Sequence, residues 1–209
     1  MQSEPAEVLT DEQRIAIFHR TSLNTEDGLE LKDSEISYNL LHDKRCNPEA
    51  LLFAGLTPHQ LHARGVNTAS RWRSLGFDAL HLRDDNFCRQ LIATVSSKAV
   101  VDAFIQNSGS VISIAGSEAQ RLLGLDMETM LGHCVALPHA AEAVLKACMH
   151  SCSALETMRG VTLDTLMATC IGSQALKRCG IRMAHILQSM PIDTQQLSLL
   201  GYEITIGMR

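Results

Sequence analysis

The sequence predicts an all-α fold, a solenoid-like array of short helical units of about ten residues, preceded by an acidic N-terminal arm. Three observations predict it. The stretch 51–82 (LLFAGLTPHQLHARGVNTASRWRSLGFDALHL) repeats one phrase as Gly55-Leu56-Thr57, Gly65-Val66-Asn67 and Gly76-Phe77-Asp78, with glycines ten and then eleven residues apart. The phrase returns near the C-terminus as Gly160-Val161-Thr162, Gly180-Ile181 and Gly201-Tyr202. Composition agrees: 45% of the chain is hydrophobic but only 4% aromatic, so the core must be built from Leu, Ile, Val, Ala and Met, which suits close-packed short helices.

Each letter of the phrase has a physical reading. A glycine can end a helix in the left-handed conformation without steric penalty. The apolar residue after it folds back on the last turn, as in a Schellman cap. The Thr, Asn or Asp that follows accepts a hydrogen bond from the first amides of the next helix. Thr57-Pro58-His59-Gln60 adds a proline at the first helical position and a glutamine placed for a capping box. Roughly seven residues then remain per helix, about two turns and on the order of 10 Å. Helices this short are unstable alone and must stack on neighbours.

Residues 1–36 read as the arm. Thr10-Asp11-Glu12-Gln13 is a capping box that opens a helix to about Arg20, and 21–36 reads as a polar connector, with a strand over 29–31 as the alternative. The array begins near Ser37. Its apolar slot holds Cys46, Leu56, Val66, Phe77 and Phe87, with Asn86 standing in for glycine before the last. Phasing weakens over 91–121. There Val111–Ile114 has strand propensity but is read as a buried short helix, and Gly116–Gln120 reads as a helix end followed by a fresh capping box. Gly124-Leu125-Asp126 restores the phrase. Residues 131–154 break it again, with one longer helix expected from Pro138 through Ala154. Val161, Ile171, Ile181, Ile192 and Tyr202 then fill the slot at spacings of ten, ten, eleven and ten, and Asp193 with Gln196 forms another capping box.

The phrasing resembles the short, leucine- and glycine-phased helical repeats of α-solenoid proteins, arrays of L-x-x-x-G-φ-S/T units. The resemblance covers roughly 40–209, with gaps at 91–121 and 131–154. It implies a scaffold or binding surface and carries over no catalytic residue, cofactor or small-molecule substrate. The expected role is therefore a structural, protein–protein interaction subunit of a larger intracellular assembly, not an enzyme, with other protein subunits as partners.

Charge and cysteine usage fit that role. The net charge is −5, with eleven acids against five bases in 1–50, three against six in 51–100 and nine against seven in the remainder. The seven cysteines are odd in number and not spaced as a disulfide scaffold, so reduced thiols in an intracellular setting are expected. The N-terminus is polar and acidic, unlike a secretory signal or a transit peptide, and no apolar run is long enough to span a bilayer.

Two constellations could add chemistry. His133, Cys134, His139, Cys148, His150 and Cys152 fall within twenty residues where the repeat breaks. A zinc site would use His133 or His139 with Cys148 and Cys152, which share a face at i, i+4, but the spacing is not that of a standard zinc pattern, and buried thiols are the simpler reading. Residues 57–77 superficially resemble a helix-turn-helix, with Gly65-Val66-Asn67 as the turn. In that alternative Arg64, Arg71, Arg73, Arg83 and Arg89 contact phosphates and Trp72 stacks on a base, whereas the repeat reading makes Trp72 core. There is no G-x-S-x-G, H-E-x-x-H, phosphate loop or dinucleotide fingerprint.

Overall fold

The computed structural model describes residues 37–202. The expected arm, with its helix from Thr10, and residues 203–209 lie outside the described residues. Among the described residues there are fifteen short α-helices and one 3-10 turn, and no strand. The helices are α1 (Tyr38–Asp43), α2 (Pro48–Phe53), α3 (Pro58–Ala63), α4 (Ala69–Ser74), α5 (Asp85–Val95), α6 (Ser97–Phe104), α7 (Ser108–Ile114) and α8 (Glu118–Leu122). After them come α9 (Met127–Gly132), α10 (Pro138–Met149), α11 (Ala154–Thr157), α12 (Leu163–Ala168), α13 (Ser173–Arg178), α14 (Met183–Ser189) and α15 (Thr194–Leu199).

The repeated phrase folds into one local design, seen plainly in α2. Asn47 caps the start, its Oδ1 accepting from the Ala50 N–H at 2.8 Å. Eight residues later the chain turns at Gly55, whose φ is +78°. The Gly55 N–H donates to the Leu52 carbonyl at 2.9 Å and the Leu56 N–H to the Leu51 carbonyl at 3.0 Å, the paired bonds of a Schellman cap. Both Leu51, the fourth helical residue, and Leu56, the slot residue, are buried. The slot-to-fourth-residue bond recurs as Cys46 to Leu41, Val66 to Leu61, Phe77 to Trp72, Ile181 to Leu176 and Tyr202 to Leu197, at 2.9–3.2 Å. All ten of those side chains are buried. Arg45 and Cys170 hold the left-handed position without glycine, at φ of +51° and +58°. The capping boxes at Thr57–Gln60 and Asp193–Gln196 are both formed.

The design lapses where other local signals win. Asn86 is not left-handed but lies inside α5. The Asp84 carboxylate accepts from the Phe87 N–H at 2.8 Å, so this acidic stretch starts a helix instead of ending one. Residues 111–114 are helical, within α7. At Ser117 no capping box forms. Its hydroxyl donates to the Ile114 carbonyl at 2.6 Å, and Gln120 Oε1 accepts from the Gly116 N–H at 2.8 Å, one residue earlier than expected. The helix from Pro138 stops at Met149, not Ala154, because Ser153 and Glu156 form a capping box that starts α11.

The chain divides into two compact units, one comprising described residues 37–78 and 89–104, the other 79–88 and 105–202. In the first, α4 packs on α6. Trp72 lies edge-on to Phe77 at 5.1 Å between ring centroids and 6.3 Å from Phe104, and Arg73 Nη1 donates to the Ala103 carbonyl at 2.9 Å. The first amide of α1 meets the last carbonyl of α3, Tyr38 N–H to Arg64 O at 2.8 Å. The same relation joins α13 to α15 in the second unit, Ser173 N–H to Leu200 O at 2.8 Å. Pro48, which opens α2, has no N–H to donate. It packs instead on Gly76 beyond α4, where an added Cβ would stand 3.2 Å from the Pro48 Cδ. A helix start thus rests on the end of the second helix along, by hydrogen bond or by packing.

In the second unit α7 packs on α10, α9 on α12 and α11 on α14. Side chains reinforce these pairings. The Glu128 carboxylate accepts from the Thr162 N–H and hydroxyl, both at 2.9 Å, tying α9 to the start of α12. The buried Glu142 on α10 receives Arg178 Nε at 2.9 Å and Nη2 at 2.7 Å from α13, and Lys146 Nζ at 2.9 Å from its own helix. Gly116 sits directly over the end of α10. A Cβ there would stand 2.5 Å from the Ala147 carbonyl oxygen.

Two predictions test this packing. Gly124→Ala, at φ +67° with open space around it, should cost about 1–2 kcal/mol from backbone strain alone. Gly116→Ala, at φ +73°, should cost a further roughly 1–3 kcal/mol for the collision with α10. Urea unfolding midpoints compare them, and equal losses would contradict the close approach. For Glu142, the hydrogen bonds from Arg178 and Lys146 pull the carboxyl from its ordinary 4.5 to about 2. A folded-state value below the unfolded one stabilises the fold above pH 4.5, and that stability drains away as pH falls toward 2. Glu142→Gln should therefore flatten the acid limb of a stability–pH curve between those values.

Candidate functional site

A concave site lies in the second unit, a cleft of about 390 Å³ where α8, the end of α10 and α11 meet. Its organiser is Gln120, on α8. The Gln120 Oε1 accepts from the Gly116 N–H at 2.8 Å and from the Cys148 thiol at 3.4 Å, while Nε2 donates to the Leu125 carbonyl at 3.2 Å. Cys148, in the last turn of α10, is buried. Cys152, four residues on, is exposed, and its N–H donates to the Cys148 carbonyl at 3.0 Å. Burial pushes the Cys148 thiol up, the Gly116 amide partly offsets this, and charge on Cys152 raises it again.

Thr157 closes α11 and also lines the cleft. It occupies the fourth helical position, which α1–α4 and α12–α15 fill with leucine, isoleucine or tryptophan. It is buried, and its Oγ1 has no hydrogen-bond partner among the described residues. Arg121, Arg159, Asp126 and Glu156 supply the charge at the cleft. The two carboxylates are engaged at helix starts, Asp126 with the Thr129 N–H at 2.8 Å and Glu156 with the Ser153 N–H at 2.9 Å. Arg121 pairs with Glu118 on its own helix.

The zinc candidates are not brought together. His133 caps the end of α9 and is half-buried, and His139 is exposed in the first turn of α10. Cys148 lies at the other end of that helix, about 13 Å along the axis from His139. Cys152 falls beyond the helix end, so the expected shared helix face is lost although the turn keeps the pair adjacent. Cys134 donates to the Met130 carbonyl at 3.6 Å, and His150 Nδ1 lies 2.6 Å from the Lys146 carbonyl. Among the described residues no three His, Cys, Asp or Glu side chains form a group that could hold a metal ion.

The candidates for nucleic-acid contact are divided between the two units. Arg64, Arg71, Trp72, Arg73 and Arg89 belong to the first unit and Arg83 to the second. Arg71 Nη1 donates to the Gly65 carbonyl at 2.6 Å and to Asn67 Oδ1 at 3.3 Å, and its guanidinium lies over the Tyr38 ring, 4.6 Å from the centroid. Arg73 is bound to the Ala103 carbonyl, and Arg64 Nη1 donates to the Gln60 carbonyl at 3.2 Å. Trp72 is core, as the repeat reading requires, and is not presented for stacking on a base. Helix α4, offered as a recognition helix, is only six residues long.

The chain matches no protein-family model, no curated protein and no solved structure. No helix among the described residues is long and apolar enough to cross a membrane.

Sequence reasoning missed Gln120 and Thr157. A signal for Thr157 was present, since it is a polar residue at the position that the repeat reserves for a large apolar one. Gln120 was read only as the glutamine of a capping box, and its bond to Cys148, 28 positions away, gave no signal. Thr157→Val keeps the side-chain shape and removes an unpartnered buried hydroxyl. It should raise stability by about 1 kcal/mol, read as a higher thermal midpoint.

Proposed function

We propose that this chain is a structural subunit, a protein–protein interaction scaffold of a larger intracellular assembly, whose short helices stack in a solenoid-like array and present their open faces to partners. The observation that carries this reading is the second apolar face of α14. Ile186, and Met190 just past the helix end, are buried against the chain's own core. Met183 and Leu187, one turn apart, stand 37% and 46% exposed, and the neighbouring α11 exposes Leu155 to 43%. A short helix that is apolar on both sides needs cover on both, and a partner helix or groove is the ordinary source of it.

Nucleic-acid binding through 59–89 is the second reading. It is supported by the local excess of arginine and weakened by the engagement of Arg71 and Arg73 with backbone carbonyls.

The test is the native mass of the full chain isolated from its source at moderate salt, beside a Met183→Glu/Leu187→Glu variant. The scaffold reading expects a discrete larger complex for the parent and a 22.9 kDa monomer for the variant, with unfolding unchanged because both side chains are exposed. A parent that is itself a monomer, or a variant that keeps the complex, overturns it. Co-isolated nucleic acid that dissociates steeply with salt would favour the second reading.

A further inference from the structure

We propose that Cys152 and Cys148 form a dithiol pair, one exposed and one buried, that reacts with small disulfides entering the cleft of the second unit. The placement of the two sulfurs is the first support. Cys152 and Cys148 line the same cleft, and the hydrogen bond from the Cys152 N–H to the Cys148 carbonyl at 3.0 Å holds the segment in a helical turn. Four residues of such a turn separate the α-carbons by about 6 Å. That lies within the α-carbon span a disulfide accepts, roughly 4.4–6.8 Å, and the bond closes when the turn beyond Met149 draws the two β-carbons together by about 1–2 Å.

The surroundings give the two thiols different parts. Cys152 is open to solvent and meets the incoming disulfide. Cys148 is buried, held by Gln120 Oε1, and kept protonated by burial and by charge on Cys152. Once Cys152 is joined to the incoming group it carries no charge, so one of the influences that hold the proton on Cys148 is removed. The Gly116 amide remains to favour the Cys148 thiolate.

Charge at the cleft is balanced, since Arg121 pairs with Glu118 and Arg159 lies near Glu156, so size and not charge limits what enters. The volume of about 390 Å³ admits a ligand of peptide size at most.

The chemistry balances without a further oxidant. The Cys152 thiolate attacks one sulfur of the small disulfide. Its S–S bond breaks, a mixed disulfide forms on Cys152, and the leaving thiolate takes a proton from water. Cys148 then loses its proton to water and attacks the Cys152 sulfur. The mixed bond breaks, the Cys148–Cys152 bond forms, and the second small thiol leaves. Two protein thiols are oxidised and one small disulfide is reduced to two thiols.

The test exposes the full chain to oxidised glutathione. Reaction is stopped with an alkylating agent and read by peptide mass. Trypsin releases 147–159, which contains both cysteines and no other. With oxidised glutathione this peptide should appear unalkylated and lighter by two hydrogens. Cys148→Ser should instead trap glutathione on Cys152, and Cys152→Ser should leave Cys148 unreacted. Cys170, exposed and outside the cleft, is the internal standard. Cys152 should react roughly tenfold faster than Cys170 with oxidised glutathione. The proposal is overturned if both cysteines of 147–159 alkylate fully after exposure, if Cys148→Ser traps nothing, or if Cys152 reacts no faster than Cys170.

Discussion

A helix of six residues is nearly all ends. Its first four amides and last four carbonyls have no partner within it, so its unmet hydrogen bonds outnumber those it makes. This constraint governs the whole chain. Every ten residues must both satisfy one helix's closing carbonyls and supply the next helix's opening acceptor. The Schellman pair at Gly55 and Leu56 followed at once by the Thr57 capping box does both in three residues. The same bonds bring the slot residue onto the fourth helical residue. The step that satisfies the backbone therefore also makes the apolar contact, and a unit is spoiled in both respects when either residue changes type.

What the local design leaves unsatisfied is met by the second helix along. The Tyr38 and Ser173 amides find the Arg64 and Leu200 carbonyls, and Pro48 removes its donor where no acceptor is used. Longer reach falls to side chains. The Glu142 carboxylate joins residues 36 apart and stays charged although buried, because three donors from two cations surround it. A buried charge paired in this way is costly to break and weakly stabilising to make. Its effect lies in fixing which face of α10 meets α13.

These two levels explain how much was legible in advance. The units around Gly55, Gly65, Gly76, Gly180 and Gly201 were read correctly because each is complete within about ten consecutive residues. Cys46 was placed in the slot although Arg45, not glycine, precedes it, since the spacing alone carries the signal. Asn86 was misread because Asp84-Asp85-Asn86 has the composition of both a helix end and a helix start, and only the hydrogen bond from the Phe87 amide to Asp84 decides between them. The overlong helix expected to Ala154 missed the box at Ser153–Glu156, which was visible in the letters. The cleft is different in kind. Gln120 and Cys148 meet across 28 residues through a contact that no local pattern encodes.

The departures from the repeat are not scattered evenly through the second unit. Helix α10 runs twelve residues where most units have six, and α11 after it has only four. Gly116 leaves no room for a side chain over the end of α10, and Thr157 puts a hydroxyl where an apolar residue belongs. The cleft, Cys148 and Cys152 lie at this junction. A polar residue in a core slot and a strand of backbone with no clearance both lower stability, and a chain under selection for stability alone would shed them. Local rules broken together at one concave place mark sites kept for what they do. The long α10 fits this view, because it alone gives the array a rigid element whose end can carry a buried thiol into a cleft while the following turn returns an exposed one beside it.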